Sequence, residues 1–341
     1  MVDAIRSLSD APAPQGLLPE PADPPPFDIL RLSHLTLRVT DLARSRAFYV
    51  DTLGLQPTHE GGGVLRLRAM EERSAFSLIL EQADAPSAGP LGFRVRADAD
   101  LDRAAEHFAA IGRPGVWVGR PGQGRTFAAS DLSGLPIEFV HRLDRLPPIH
   151  QSYALYRGVK PLRIDHFNCF SPDVDASAAF WASLGFRTTE YTAVEDAGRL
   201  WAVWMHRKGG VHDLAFTNGV GPRLHHIAYA CPTPLDILNL LDLMATTGWV
   251  DAIERGPGRH GISNAFFLYV RDPDGHRIEL YCSDYQTLDP DHEPLHWDLE
   301  DPQRQTLWGA AAPRSWFEEG SLFDGLAPRA PDLAARPIVA P

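Results

Sequence analysis

The feature that most constrains the fold of this 341-residue chain is an internal repeat. A strand-like run around His34 leads into a helix-like segment from Asp41 to Leu53, and a similar run around His166 leads into one from Asp173 to Leu184. Each half divides again into two strand–helix–strand units, which must pack against one another to bury their apolar faces. The repeat therefore predicts an α+β protein with two tandem domains.

The two halves differ in residues that can bind a metal. Aligning them pairs His34 with His166, and places Phe93 where the second half has His226. The first half also keeps an acid, Glu138, but lacks a second histidine in this alignment. Metal chemistry is therefore predicted only in the C-terminal domain.

Three residues of the second half form a candidate metal-binding set: His166, His226 and Glu279. Two imidazoles and one carboxylate suit a mononuclear non-haem Fe(II) site, because they leave coordination positions open for substrate and oxygen. Taken singly, each residue has an ordinary explanation, since a strand histidine is often a hydrogen-bonded core residue and a strand glutamate is often solvated. The prediction depends on the combination.

The strand patterns orient these side chains. Period-two geometry predicts that His225 and His226 face opposite sides of their strand, so one of them faces the metal. An Asp-Pro-Asp-Gly turn at 272–275 predicts a hairpin that places Tyr269 and Glu279 on adjacent antiparallel strands.

Composition excludes several other classes of protein. A net charge of −12 disfavours a general nucleic-acid surface. No run is long and apolar enough for a membrane span or a secretory signal, and the three cysteines show no CxxC spacing, so a reducing cytoplasm is expected. A local anion site could still form from a set of arginines: Arg163, Arg223, Arg255, Arg259 and Arg304.

Proline-rich stretches at both ends suggest the domain limits. We expect a proline-rich arm over 1–28, a metal-free domain over 29–148, a catalytic domain over 149–287 and a tail over 288–341. The tail contains Trp297, Trp308 and Trp316. It is interpreted as a strap packed near the mouth of the site, with a dimer contact as the alternative.

Several tracts resemble one known family. Residues 204–213, 221–226, 254–261 and 263–264 are similar to type I extradiol catechol dioxygenases of the vicinal oxygen chelate superfamily, and to homoprotocatechuate (3,4-dihydroxyphenylacetate) 2,3-dioxygenases in particular. The resemblance extends over about residues 32–285. It implies that each domain consists of paired βαβββ modules, with the metal in the C-terminal barrel.

The resemblance also implies roles for individual residues. The metal would be Fe(II), with Mn(II) possible, on the three residues named above. His212 would be the acid–base catalyst, and Tyr269, His260 and Asn168 would contact substrate or oxygen. A strand-end hydrogen bond to Asp213 is the alternative for His212, and a strand-edge hydrogen bond is the alternative for Asn168.

The acidic side chain of a substrate would meet Arg255, Trp204, Arg304 and Gln305. Structural pairing with an internal acid is the alternative role for Arg255. Similar proteins of this family carry arginine where this chain has Gln305, and one lost charged hydrogen bond is worth roughly 1.5–3 kcal/mol.

The implied reaction inserts both atoms of O2 into a catechol, such as 3,4-dihydroxyphenylacetate or a similar para-substituted catechol, and yields a muconic semialdehyde. The alternatives are a glyoxalase-like metal-dependent isomerase or lyase, and a metal-free protein that binds an aromatic ligand. The family resemblance favours a homo-oligomer, a dimer or tetramer. Of the remaining histidines, His225 is expected to support its strand from outside the metal ligands, and His206 and His276 are expected at the surface or in turns.

Overall fold

The computed structural model describes residues 8–9 and 13–334. The predicted arm over 1–28 and the predicted tail over 288–341 therefore lie partly outside the described residues. The domain limits given above stay predictions.

The N-terminal half contains two successive βαβββ units. The first comprises β2 (Ile29–Val39), α1 (Leu42–Arg46) continued by a π-helical turn (Ala47–Thr52), β3 (Gln56–Gly61), β4 (Val64–Arg68) and β5 (Leu78–Gln82). The second comprises β6 (Ser87–Val95), α2 (Ala99–Ala110), β7 (Val116–Val118), β8 (Thr126–Ser130) and β9 (Pro136–Val140).

The C-terminal half repeats this order. Its first unit comprises β10 (Arg163–Ser171), α3 (Val174–Ser183), β11 (Arg187–Val194), β12 (Arg199–His206) and β13 (Leu214–Asn218). Its second comprises β14 (Arg223–Ala230), α4 (Pro234–Thr246), β15 (Ile253–Arg259), β16 (Phe266–Arg271) and β17 (Arg277–Cys282). Short elements at the two ends are β1 (Leu8–Ser9), β18 (Leu295–Trp297), β19 (Trp308–Gly309), α5 (Arg314–Glu318) and β20 (Ser321–Leu322). Single 3-10 turns lie at Tyr153–Leu155, Glu195–Ala197, Val250–Ala252, Ile262–Asn264 and Pro302–Arg304.

The two sheets have the same strand order. In the described chain the first runs β3-β4-β5-β2-β6-β9-β8-β7, and the second contains β11-β12-β13-β10-β14-β17-β16-β15 at corresponding places. The short strands β18, β19 and β20 add to β11, β15 and β14 of the second sheet. The expected fold of paired βαβββ modules in two tandem copies is confirmed.

Local sequence explains where the helices that follow β2 and β10 begin. Asp41 accepts a hydrogen bond from the amide of Arg44, and Asp173 accepts one from the amide of Ala176. Each carboxylate satisfies an amide that the first helical turn leaves unpaired. Both helices therefore start where the repeat predicts.

Aromatic side chains join the two halves into one core. The Phe93 ring lies 5.0 Å from the Trp181 ring and 6.2 Å from the Phe167 ring, centroid to centroid, and all three residues are buried. Contacts of this kind bury apolar area and fix ring geometry. Phe93 therefore has a packing role.

The strand register corrects one alignment made from the sequence. Glu138 pairs with Gly92 across β9 and β6, whereas Glu279 pairs with Ala228 across β17 and β14. Counting two residues back along each strand places Pro90, and not Phe93, at the position of His226. The sequence alignment was wrong by three residues because both stretches are apolar and a strand pattern alone does not fix register.

No helix in the described part of the chain combines the length and the apolar character that a membrane crossing requires.

Candidate active site

Three neighbouring strands carry the three predicted metal ligands. His166 on β10 is opposite Ala228 on β14, and Ala228 is opposite Glu279 on β17. The ligand atoms of His166, His226 and Glu279 all lie within 4.8 Å of one another, and all three residues are buried. The structure therefore brings together residues that are separated by up to 113 positions in sequence.

The distances between these atoms suit a shared divalent ion. Glu279 Oε2 lies 2.8 Å from His166 Nε2 and 3.1 Å from His226 Nε2, and the two Nε2 atoms are 3.4 Å apart. Ligand atoms at about 2.1 Å from one ion and at right angles to each other are about 3 Å apart. The donor set and its spacing fit a mononuclear metal site.

Hydrogen bonds on the outer side of each imidazole fix its tautomer. The Asp165 carboxylate accepts from His166 Nδ1 at 3.0 Å. The Trp316 carbonyl accepts from His225 Nε2 at 2.9 Å, so His225 Nδ1 accepts from His226 Nδ1 at 2.6 Å. Both candidate ligands therefore turn the Nε2 lone pair towards Glu279, as metal-binding histidines do.

The direct contact between His225 and His226 contradicts the expectation that they face opposite sides of the strand. The strand β14 has a bulge here, because Asn168 pairs with His226 while the next residue, Cys169, pairs with Leu224. A bulge inserts one extra residue and breaks the period-two alternation. The extra residue is His225, whose role in supporting His226 is more direct than the sequence suggested.

The electrostatics of the three residues favour a cation between them. Burial alone would raise the pKa of Glu279, but the imidazoles of His166, His226 and His260 outweigh burial and hold it well below its usual range. Burial lowers the pKa of His226 to about 4 despite Glu279. Burial opposes a charge on His166 also, yet Asp165 and Glu279 raise its pKa. The negative charges that favour a proton on His166 would equally favour a metal cation between the three residues.

A cavity of about 370 Å³ opens onto these ligands. Most of its walls are apolar, with a few polar groups that converge near the ligands, as is usual for a small-molecule site. Every residue predicted to act in the site lies on its wall: His166, Asn168, Trp204, His212, His226, Arg255, His260, Tyr269, Glu279, Arg304 and Gln305.

His212 stacks on a candidate ligand. Its ring centroid is 3.9 Å from that of His166, and burial, followed by the charges of His166 and Lys208, lowers its pKa well below the usual range. The Nδ1 atom of His212 has no hydrogen-bond partner in the described chain, and neither has Oδ1 of Asn168. A strand-end hydrogen bond from the His212 ring to Asp213 is therefore not formed.

His260 and Tyr269 form a short chain to Glu279. The Gln305 carbonyl accepts from His260 Nδ1 at 2.5 Å, so a neutral His260 has Nε2 free as an acceptor, 2.9 Å from the Tyr269 hydroxyl. Tyr269 donates to Glu279 Oε1 at 2.7 Å. The hydroxyl has one proton for two acceptors, which leaves His260 Nε2 able to accept from a bound hydroxyl group.

Two arginines lie on the wall of the cavity. Arg255 donates to Thr306 Oγ1 at 2.7 Å and stacks on Trp316, with the guanidinium carbon 4.4 Å from the ring centroid. Arg304 donates to the Leu299 carbonyl at 2.9 Å. Burial lowers the pKa of each arginine to about 10, so both stay charged at neutral pH.

The predicted set of arginines divides between different places. Arg223 lines the same cavity as Arg255 and Arg304. Arg163 pairs with Glu71 beside a second cavity, and Arg259 donates to the carbonyl of Asn264. A single anion site made of all five arginines is therefore not formed, because Arg163 lines a different cavity and Arg259 lines neither.

Two histidines expected at the surface or in turns are buried. His206 is 5% exposed at the end of β12, where its ring contacts the Lys208 carbonyl at 2.6 Å. His276 does lie in the turn before β17, but it is 2% exposed and contacts the Arg38 carbonyl at 3.0 Å. Their rings satisfy main-chain carbonyls, a need that local sequence does not reveal.

Sequence reasoning missed two supporting groups. Asp165 fixes the His166 tautomer, and Lys208 Nζ lies 2.8 Å from Oδ1 of Asp165. A carboxylate next to a candidate ligand was a usable signal, because such partners often orient metal-binding histidines. Nothing local pointed to Lys208, which reaches Asp165 from the loop after β12.

A family model described as the Glyoxalase/Bleomycin resistance protein/Dioxygenase superfamily matches residues 31–139 and 163–280. The chain belongs to this superfamily. A manganese-dependent 2,3-dihydroxybiphenyl 1,2-dioxygenase from Geobacillus genomosp. 3 is 30% identical over 298 residues, which cover 82% of this chain and 94% of the relative. A metapyrocatechase from Geobacillus stearothermophilus is 30% identical over 314 residues, which cover 87% and 95%.

Solved structures of extradiol dioxygenases are also similar to this chain. A homoprotocatechuate 2,3-dioxygenase from Arthrobacter globiformis has a TM-score of 0.85 and 40% identity, over 93% of this chain and 98% of the other. An extradiol ring-cleaving dioxygenase from B. fuscum has a TM-score of 0.88 and 39% identity, over 93% and 90%. The resemblance to extradiol catechol dioxygenases that the sequence indicated is confirmed.

Proposed function

We propose that this chain is an extradiol dioxygenase that opens the ring of a para-substituted catechol with an acidic side chain, of the 3,4-dihydroxyphenylacetate type, to a muconic semialdehyde. The observation that carries the proposal is the convergence of His166, His226 and Glu279 at the end of a largely apolar cavity of about 370 Å³. Relatives and solved neighbours with ring-cleaving activity support it.

The proposed ligands of the metal are His166, His226 and Glu279. When bound, Fe(II) would supply redox and Lewis-acid chemistry by holding the two catechol oxygens and O2 together. Fe(II) is the preferred ion, and Mn(II) is the second candidate because a similar protein is manganese-dependent.

The proton transfers are assigned to the imidazoles. Burial keeps His212 neutral, so it can take a proton from a catechol hydroxyl and return it later. His260 Nε2 would accept from the second hydroxyl, and Tyr269 would donate to the same oxygen by turning its hydroxyl proton away from Glu279 Oε1. The free Oδ1 of Asn168 is available to a donor group in the cavity.

The acidic side chain of the substrate is assigned to the arginine wall. The Nε of Arg255 is buried without an acceptor in the described chain, and it can donate to a carboxylate. Arg304 adds positive charge, Gln305 adds a neutral amide, and Trp204 adds an apolar wall. Because Gln305 stands where similar proteins carry a further arginine, we expect weaker discrimination between carboxylated and uncharged catechols.

Two further expectations belong to the proposal. The family supports a homo-oligomer, a dimer or tetramer, and a cytoplasmic location suits an enzyme that needs reduced iron. The glyoxalase-like alternative would want a further carboxylate at the metal. In the described chain the group of possible ligands contains Glu279 as its one carboxylate.

The proposal is tested by oxygen uptake after anaerobic loading with Fe(II) or Mn(II). The substrates are 3,4-dihydroxyphenylacetate, catechol and 4-methylcatechol. We expect one O2 consumed for each catechol and a yellow ring-opened product, with the carboxylated catechol preferred. The His226→Ala variant should lose this activity together with its metal.

The matched control is His59→Ala, because His59 is an exposed histidine on β3. It should retain full activity. Absence of uptake with every catechol and both metals would overturn the proposal.

A further inference from the structure

A second cavity, of about 510 Å³, lies between the two halves of the chain. Its wall comes from strands of both sheets, and it contains twice as many basic as acidic residues. The basic residues are Arg31, Arg73, Arg94, Arg145, Arg163 and Lys208, and the acidic residues are Glu71, Glu72 and Asp165. This excess is unusual in a chain whose net charge is −12.

All three acids of this cavity already have partners. Glu72 accepts from the amides of Ala69 and Ile164, both at 2.7 Å. Glu71 pairs with Arg163 at 3.1 Å. Lys208 lies 2.8 Å from Asp165, which also holds His166. Arg163 and Lys208 therefore pair with Glu71 and Asp165, while Glu72 is held by main-chain amides.

Within the described residues, four arginines of the cavity have no carboxylate partner. Arg31 donates only to the carbonyl of Leu32, at 3.3 Å. The guanidinium groups of Arg73, Arg94 and Arg145 have no acceptor in the described part of the chain.

Backbone pairing brings the four arginines close to one another. Arg31 on β2 is directly opposite Arg94 on β6. A bridge pairs Arg145 with Ser74, and the Leu146 amide donates to the Arg73 carbonyl, so Arg73 and Arg145 lie on adjacent segments as diagonal neighbours. Like charges directly opposite one another on paired strands, as Arg31 and Arg94 are, destabilise the pair.

The surroundings of Arg94 show that no acid offsets this repulsion. Burial lowers the pKa of Arg94, and the charges of Arg31, Arg145 and Arg142 lower it further. No carboxylate is among the groups that act on it. A partly buried positive charge such as that of Arg94 is stabilised by a bound anion, and the exposed Arg73 and Arg145 are accessible to the same anion.

We propose that this cavity is a binding site for a small multivalent oxyanion, a phosphate or a dicarboxylate, held by Arg31, Arg94, Arg73 and Arg145. Guanidinium groups form paired, charge-assisted hydrogen bonds with both kinds of anion. The site is distinct from the catechol cavity, and it does not depend on the function proposed above.

The location gives the site a connection to the candidate metal centre. Asp165 and Lys208 line the anion cavity, and Asp165 also fixes the His166 tautomer. An effect on activity could therefore arise in either cavity. Direct binding is the appropriate measurement, and the variants leave Asp165 and Lys208 unchanged.

The test is isothermal titration calorimetry of the metal-loaded full chain with inorganic phosphate and, separately, with succinate, at constant ionic strength set with chloride. We expect saturable binding of one anion per chain. The double variant Arg31→Gln/Arg94→Gln should bind about tenfold more weakly or worse, because it loses charged hydrogen bonds. Arg73→Gln/Arg145→Gln should behave in the same way.

The matched control is Arg103→Gln/Arg125→Gln, which removes the same charge from two arginines that do not line this cavity. It should keep the affinity of the parent chain. Binding of phosphate alone, of succinate alone or of both would support the site and identify its ligand class. Heat that does not saturate with either anion, or unchanged affinity in both cavity variants, would overturn it.

Folding of the variants is checked independently. Because Arg31→Gln/Arg94→Gln removes a repulsion, its melting temperature in chloride should equal or exceed that of the parent. Phosphate or succinate should then raise the melting temperature of the parent and not that of the variant. An equal rise in both would count against the proposal.

Discussion

At the scale of single residues, the candidate metal site depends on groups that never touch the metal. The carboxylate of Asp165 and the carbonyl of Trp316, through His225, decide which nitrogen of each imidazole carries the proton. Without them, either ligand could turn a protonated nitrogen towards Glu279. We therefore regard these contacts as part of the site.

His212 provides the first prediction at this scale. Replacing it in His212→Asn removes the group assigned to proton transfer, so kcat should fall by roughly 10²- to 10⁴-fold. The metal content should stay that of the parent chain, because His212 is not among the three proposed ligands. Steady-state kinetics and metal analysis of the same sample check this. A kcat within threefold of the parent would contradict the assignment.

Arg120 provides the second prediction. It contacts Glu138 Oε1 at 2.6 Å, and His34 lies 3.8 Å from the same carboxylate. Burial opposes the charge of Glu138, but His34 and Arg120 outweigh it and lower the pKa to about 2. Arg120→Met leaves this buried carboxylate poorly paired. Since Arg120 is itself 45% exposed, we expect a loss of only about 1–3 kcal/mol of unfolding free energy at pH 7.

The pH dependence follows from the same shift. A lowered pKa stabilises the folded chain above the unfolded value of 4.5, and this stabilisation is lost as pH falls towards 2. The difference between parent and Arg120→Met should therefore shrink between pH 5 and about pH 2, as denaturant unfolding would show. Arg46→Met, which breaks an exposed pair with Asp51, is the control and should change little.

At the scale of elements, one buried carboxylate connects three segments around the cavity. Glu190 on β11 accepts from the amide of Ser263 at 2.8 Å, from the Trp297 indole at 2.7 Å and from the Tyr285 hydroxyl at 2.5 Å. Ser263 belongs to the turn after His260, and Trp297 belongs to β18. Glu190 therefore holds the turn that follows His260 against the tail.

The third prediction concerns Glu190. Burial raises its pKa to about 7 in spite of the three donors. Because the folded chain holds this proton more tightly than the unfolded chain, Glu190 lowers stability as pH rises from about 4.5 to about 7. The effect is on the order of 3 kcal/mol. Glu190→Gln should remove this slope and, because its amide nitrogen faces a donor, weaken the turn.

Denaturant unfolding of parent and variant at pH 5, 6 and 7 measures this difference. The control is Glu106→Gln, an exposed acid on α2. It should follow the parent at every pH. Parallel curves for the parent and Glu190→Gln across this range would contradict the prediction.

Part of this arrangement could be predicted from the sequence. The repeat gave the module order, and the Asp-Pro-Asp-Gly turn correctly placed Tyr269 opposite Glu279. The bulge at His225 could not be predicted, because an extra residue leaves no mark in a run of apolar and polar letters. The partners of Glu190 are up to 107 residues away, and such contacts depend on packing that the sequence does not display.

At the scale of the whole molecule, one fold is used twice for different purposes. In the C-terminal half, Glu279 contacts the imidazoles of His166 and His226. In the N-terminal half, Glu138 meets the Arg120 guanidinium, and Pro90 stands at the position of His226. An internal cation thus takes the place where the other half would bind a metal.

The fourth prediction is a metal content of one ion per chain. Pro90→Ala should retain one ion, and His226→Ala should retain none. Because the ion binds the folded chain, its removal by a chelator should lower the melting temperature, by the equivalent of about 2.7 kcal/mol at a metal concentration of 100 Kd. Metal analysis and thermal unfolding check this. Two ions per chain, or metal retained in His226→Ala, would contradict it.

The expectation of an incomplete triad in the first half was based on Phe93, whereas Pro90 stands at the position of His226. Residue types alone could not settle this point, because the first half also contains His59, His107 and His141. The substitution of a guanidinium for the ion could not be foreseen, because Arg120 lies in a loop whose path only the fold defines.

The order of the chain also sets the order in which the site can be completed. The three ligands lie between residues 166 and 279, whereas the Trp316 carbonyl that orients His225 and the Gln305 carbonyl that holds His260 come later in the chain. On the ribosome, which extends the chain from its N-terminus, the three ligands emerge before the segment that contains Gln305 and Trp316. A nascent chain thus passes through a stage in which the ligand strands are open, and loading of the ion can precede closure of the pocket.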